Sequence, residues 1–294
     1  MMNFEEAKFI DVDGINTRYF DKGKGETVVL FHGGNFGSPH GADCAADWNL
    51  NFLGLAKECR VIAVDKIGQG YTDNPETDDA YTMARVVQHA LRFLEVLDVE
   101  DCNIVGHSRG AYLTCRMTLE DPTRIKSNIM VDTSTLGPGQ GRNHIVFRDT
   151  PMPFFTRESQ RWVMEHYSFN RRCVTEEWLD ELMRVAALPK YRESCEKMEA
   201  GGLNKSVFLP SHGRQKSETF DWLMNRGTGR PNLLIWGKND PTATVDQGFS
   251  LFDILIHKEP RTEMHIFNQS GHFTYREHPE AFNRLILDYI KDVP

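Results

Sequence analysis

The chain has 294 residues, 40% of them hydrophobic and 26% charged, with a net charge of −8. This is enough apolar chain for a large core, and the acidic balance argues against nucleic acid as a partner, leaving any anionic ligand to a local basic site. No stretch approaches the roughly 18 apolar residues of a membrane helix, and the acidic start "MMNFEEAKFIDVDG" is unlike a secretory leader, so a cytoplasmic protein without a membrane partner is expected.

In chain order, "KFIDV", "INTRYF" and "TVVLF" predict short strands, separated by the turns "DG" and "DKGKGE". "RVIAV" at 60–64 is an apolar run between turn residues, as in a strand buried on both faces. Val87, Ala90, Leu91, Leu94 and Leu97 fall at helical spacing and make one apolar stripe. "NIVG", "RGAYLTCRMTLE" and "NIMVD" then read as strand, helix and strand. Such alternation predicts an α/β fold with a mostly parallel sheet flanked by helices.

After "TSTLGPGQG" the alternation stops. Residues 138–229 carry helical and irregular signals with many aromatics: Phe147, Phe154, Phe155, Trp162, Tyr167, Phe169 and Trp178. Thr175 is a candidate N-cap for a helix that ends before Pro189. Strands resume with "NLLIW" and "EMHIF", and "PEAFNRLILDYI" predicts a last helix with Pro279 at its start. The expected organisation is a sheet core, 1–137 and 230–294, with an inserted helical lid, 138–229, whose aromatic face covers the site. The six cysteines, Cys44, Cys59, Cys102, Cys115, Cys173 and Cys195, lack CxxC spacing and read as reduced thiols.

Gly106-His107-Ser108-Arg109-Gly110 fits G-x-S-x-G where a strand becomes a helix. In that turn the serine is strained and exposed, and its neighbours two residues away must be small. A serine hydroxyl needs a base to become a nucleophile, and the base needs an orienting acid. Asp240 in "LLIWGKNDP" and His272 in "FNQSGHFTY" both follow strands, in the order serine, acid, histidine. Asp132, ending "NIMVD", is the alternative acid. His32-Gly33-Gly34 ends another strand, so the backbone N–H groups of Gly34 and Arg109 are the expected oxyanion donors. "GQGYTD" and "DKGKGE" fail the dinucleotide and P-loop patterns. His265, His272 and His278 lack HExxH spacing, so no metal site is expected.

With "HGG", "DKIGQGYTD", "GHSRG", "WGKND" and "SGHF", the chain resembles an α/β-hydrolase over residues 9–291. "VDTSTLGPG", "FTRESQRWVMEHYS", "WGKNDPTATVDQGFSLFDIL" and "FTYREHPEAFNRLILDYI" are similar to meta-cleavage-product hydrolases. That resemblance implies cleavage of a carbon–carbon bond in a 2-hydroxy-6-oxo-2,4-dienoate, a small aromatic-derived carboxylate, with no cofactor. Family members are often dimers, which makes a homodimer the assembly to test. The family's lid arginine, which holds the dienoate carboxylate, matches Arg184. Three positions depart from the family pattern and are expected near the substrate: His107 where asparagine is usual, Phe273 where tryptophan is usual, and Asp47 where asparagine is usual. The same triad also suits a carboxylesterase or lactonase, and a hydrolase fold can serve as a ligand receptor.

Overall fold

The computed structural model describes residues 2–293. Its centre is an eight-stranded sheet in the order β1-β2-β4-β3-β5-β6-β7-β8. The strands are β1 (Lys8–Val12), β2 (Ile15–Lys22), β3 (Thr27–Phe31), β4 (Arg60–Val64), β5 (Cys102–His107), β6 (Ile125–Val131), β7 (Asn232–Gly237) and β8 (Thr262–Phe267). Only the pairings that involve β2 are antiparallel; β4-β3-β5-β6-β7-β8 run parallel. The residues dictate which strands lie inside. β5 and β7 are buried along their whole length, whereas β8 alternates towards solvent at the edge, as period-two patterning requires.

The helices are α1 (Phe52–Leu55), α2 (Met83–Val96), α3 (Arg109–Glu120), α4 (His144–Phe147), α5 (Arg157–Tyr167), α6 (Glu176–Ala187), α7 (Pro189–Met198), α8 (Leu209–Arg226), α9 (Val245–Ile256), α10 (Thr274–Glu277) and α11 (Pro279–Asp292). The Thr82 side chain caps α2. Its buried face is Val86, Val87, Ala90, Phe93 and Leu94. Leu91 and Leu97, assigned to the stripe from spacing, are only half-buried. The Thr175 side chain caps α6 by accepting from Trp178 N, and Pro189 opens α7 rather than merely closing α6.

One predicted boundary needs correcting. The expected lid, 138–229, includes α8, but α8 packs on the sheet-flanking helices α2 and α9. Tyr112 Oη and Arg116 Nη1 on α3 lie 3.2 Å from Thr219 Oγ1 on α8. The helix is thus the crossover that a parallel β6–β7 pair requires. Its charged sequence, with few buried residues, hides this role from periodicity.

The lid helices α5–α7 are not a separate body. Trp178, Leu179, Leu182, Val185 and Tyr191 share one buried cluster with Trp48, Phe273 and Tyr275 of the core. Beside it, Arg18 on β2 is held by Asp65 Oδ2 at 2.7 Å and by Glu181 Oε1 on α6 at 2.9 Å, all three side chains being almost fully buried. All six cysteines are buried free thiols. Among the described residues no helix is long and apolar enough to cross a membrane.

Candidate active site

Ser108 stands between β5 and α3 with φ 55° and ψ −116°. Such a conformation persists only where its surroundings enforce it. Here they do so by close backbone approach. A Cβ on Gly106 would lie 2.2 Å from Gly110 O, and one on Gly110 would lie 2.4 Å from Phe31 O. Neither partner is a flexible side chain, so the two glycines are steric requirements of the turn. Gly110→Ala is therefore expected to cost roughly 1–3 kcal/mol of stability through overpacking. Urea denaturation measures this, and an unchanged midpoint would refute the steric account.

Asp240 and His272 meet in the loops beyond β7 and β8. His272 Nδ1 donates to Asp240 Oδ2 at 2.6 Å. The other carboxylate oxygen accepts from Thr242 N at 2.8 Å, Thr242 Oγ1 at 3.0 Å and Ala243 N at 2.9 Å. With both oxygens engaged, the carboxylate is fixed and the proton on Nδ1 leaves Nε2 as a free base. Ser108 and His272 line the same cavity. The serine has no hydrogen bond to the imidazole here; such contacts often tighten only in the substrate complex.

Asp132 does not reach His272. Its Oδ1 accepts from Gly237 N at 2.7 Å and its Oδ2 from Thr274 Oγ1 at 2.5 Å. It ties together the two loops that carry Asp240 and His272. Burial, and then the nearby Asp240 charge, pushes its carboxyl well above the usual range.

Gly34 has φ +74° and faces the same cavity as Ser108 and Arg109. Arg109 is the first residue of α3, so its N–H has no partner within the helix. The preceding His32 is buried and kept neutral by burial and then by the Lys66 charge. Its Nδ1 faces Gly33 O at 2.9 Å, and its Nε2 accepts from Lys66 N at 3.1 Å. The glycine loop is thereby fastened to the loop after β4.

His107 lines the cavity wall, but its ring does something the sequence did not suggest. Nε2 lies 2.8 Å from the His272 carbonyl oxygen, which can only accept, so Nε2 carries the proton. The Tyr275 hydroxyl lies 3.4 Å from Nδ1. His107 thus pins the backbone of His272 to the elbow. On the opposite side, Tyr167 of the lid stacks on the His272 ring with centroids 4.8 Å apart, and its carbonyl accepts from His272 N at 2.8 Å.

Two expected substrate residues lie elsewhere. Arg184 points outward, its side chain 61% exposed, and pairs with Glu181 at 3.0 Å. Its helix buries Trp178, Leu179, Leu182 and Val185 instead, and Arg184 falls off that stripe. Asp47 is fully buried behind the cavity, where its Oδ1 accepts from Trp178 Nε1 at 2.9 Å. Burial, and then the Asp43 charge, raises its carboxyl well above the usual range. Asp47 therefore holds a lid tryptophan and presents no anion to a substrate. Phe273 does line the cavity, packed edge-on against Trp178.

The cavity measures about 290 Å³. Of the seven lid aromatics, Phe147 and Tyr167 line it, while Phe154 and Phe155 border a neighbouring groove. Phe169 is half-exposed and Trp178 is buried. Sequence reasoning missed Asp43, Met164 and Met198 in the cavity wall. Asp43 stands in no motif, and Met164 and Met198 sit on the buried stripes of α5 and α7, where spacing alone reads as packing rather than cavity lining. The described residues contain no group of three or more His, Cys, Asp or Glu able to hold a metal ion.

Known proteins match this architecture over nearly its full length. A 2-hydroxymuconate semialdehyde hydrolase of Pseudomonas sp. (strain CF600) is 26% identical over 289 residues, covering 98% of this chain and 95% of its own. A 2-hydroxy-6-oxononadienedioate/2-hydroxy-6-oxononatrienedioate hydrolase of Paraburkholderia xenovorans (strain LB400) is 28% identical, with 97% and 95% covered. The solved meta-cleavage product hydrolase of Pseudomonas fluorescens IP01 superposes with a TM-score of 0.80 at 25% identity, covering 99% of this chain and 100% of its own. The model of the alpha/beta hydrolase family matches residues 28–285, and the chain belongs to that family.

Proposed function

We propose that the protein is a serine hydrolase that cleaves the carbon–carbon bond of a 2-hydroxy-6-oxo-2,4-dienoate. The observation that carries this reading is the Asp240–His272 pair and Ser108 on one lidded cavity. Relatives matched from end to end bear names for this reaction. In the proposed sequence, His272 moves a proton from the 2-hydroxyl to C5, giving the keto tautomer whose conjugated carbonyl serves as an electron sink. Ser108 Oγ then bonds to the C6 carbonyl carbon as His272 takes its proton. The oxyanion faces the N–H groups of Gly34 and Arg109. The C5–C6 bond breaks, its electron pair passes through the conjugated system to the 2-oxygen, and His272 returns its proton there, releasing a 2-hydroxy-2,4-dienoate. Water, deprotonated by the same imidazole, releases the acyl group from Ser108 as a carboxylic acid.

A second reading, an ester or lactone hydrolase, has one observation in its favour: Arg184, matched to the family's carboxylate-binding arginine, lies outside the cavity. Both readings use the same acyl-enzyme chemistry. A parallel assay separates them, following loss of the dienoate's yellow chromophore beside p-nitrophenyl ester hydrolysis. The first reading expects kcat/KM for the dienoate to exceed that for the ester by at least tenfold. A larger value for the ester, with an inert dienoate, would establish the second.

A further inference from the structure

The cavity beside Ser108 is lined by a guanidinium that the protein leaves without an ion-pair partner. Arg109 is half-buried in the cavity wall, with its guanidinium carbon 5.0 Å from the centre of the Phe208 ring. Among the described residues no carboxylate lies within ion-pair distance of it. The lid arginines Arg157, Arg161 and Arg184 are occupied, Arg157 by Glu176 and Asp180, Arg161 by Glu176 and Arg184 by Glu181, and Arg142, Arg172 and Arg214 are exposed to solvent. Arg192 Nε donates to Ala186 O. Burial lowers the Arg109 pKa to about 10, which leaves it charged at neutral pH.

A partly desolvated cation without an ion-pair partner is costly; Tyr167 and Asp43 favour the charge, but burial outweighs them. Burial, and then the Arg109 charge, holds His212 at a pKa of about 3, so that imidazole is neutral. Met198, Leu209 and Phe36 contribute apolar wall. The wall holds two acidic residues, Asp43 and Glu199, neither in ion-pair contact with Arg109, and Asp43 sits against Gly34 and Gly41. Burial pushes its carboxyl up. Arg109 also starts α3, and a helix N-terminus favours an anion beside it.

We propose that the Arg109 guanidinium, and not Arg184, is the anchor for the substrate carboxylate. This deepens the dienoate reading by assigning its anion to a residue of this chain. It also orients the substrate. The carboxylate lies at the Phe208 end of the cavity, and the acyl group retained on Ser108 lies among Phe147, Met164 and Tyr167. Arginine suits the task because its planar fork meets a carboxylate with two parallel hydrogen bonds.

The test measures binding rather than turnover, so it does not depend on the reaction being identified. Calorimetric titration of the intact protein with 2,4-hexadienoate and with its uncharged counterpart, 2,4-hexadienamide, gives the acid-over-amide preference. Circular dichroism verifies that each variant is folded. Arg109→Met is expected to weaken acid binding at least tenfold and amide binding less than threefold. Arg109→Lys should recover part of the loss, because it restores charge without the fork; it also serves should the methionine variant not fold. Arg184→Gln should leave the preference unchanged. A preference that survives in Arg109→Met, or that disappears in Arg184→Gln instead, overturns the assignment. A wild-type protein that binds the acid through Arg109 yet turns over no 6-oxo-dienoate would refute the carbon–carbon reading alone.

Discussion

Ser108→Ala is expected to lower kcat by on the order of 10⁶ while leaving the protein folded. Losing a nucleophile that works as one member of a triad removes almost the whole catalytic unit. The fold survives because the strain at position 108 is imposed from outside the side chain. Gly106 and Gly110 admit the chain crossing, and Ser108 N donates to Val131 O at 2.8 Å whatever the side chain is. Alanine keeps that backbone bond and loses only the hydroxyl. The measurement is single-turnover kinetics on the dienoate, with a melting curve beside it. A variant with near-normal kcat would remove Ser108 from the mechanism.

Asp240→Asn is expected to lower kcat by on the order of 10⁴, because an amide can orient the imidazole in the wrong tautomer and cannot stabilise its cation. The effect of Asp132→Asn should be different in kind. Asp132 accepts hydrogen bonds from Gly237 N and Thr274 Oγ1, so its amide lowers thermal stability and leaves kcat within about tenfold of wild type. The two carboxyls are close enough that the Asp240 charge raises Asp132. Two variants measured side by side on both axes, kcat and melting temperature, therefore settle which is the triad acid. The reverse ranking in kcat would make Asp132 the acid.

The parts of the site that were legible in the sequence are those where local chemistry leaves one solution. "GHSRG" between an apolar run and a helix former run demands a tight turn, Asp240 follows the fully buried strand β7, and His272 follows the alternating strand β8. The helix α6 was equally plain, with Thr175 before it and Pro189 after it. What remained hidden depends on direction in space. The family match at Arg184 specified a helix position, but not that Glu181, one turn earlier on the same helix, would hold the side chain outward. His107 and Asp47 are expected near the substrate because they stand at family positions where asparagine is usual. Their partners, the His272 carbonyl and the Trp178 indole, lie 165 and 131 residues away, beyond the reach of any local pattern. The membership of α8 was misread for a similar reason: its partners on α2, α3 and α9 are fixed by topology rather than by its own weak apolar stripe.

The buried contact between Arg18 and Glu181 bears on how the molecule comes apart. A lid joined to its core by loops alone would melt as its own unit and could swing as a rigid flap. Here the two share an apolar cluster around Trp178 and Phe273, and separating them would strip a buried arginine of one of its carboxylates. The cost of stranding such charges is several kcal/mol, so the two parts are expected to unfold in a single cooperative transition. Opening for substrate then falls to a local fluctuation of the more loosely packed stretch around Pro138–Phe155, which runs half-exposed past the cavity mouth, and not to a hinge. Admission and release would in that case proceed at the rate of loop motion, with the helices α5–α7 standing still.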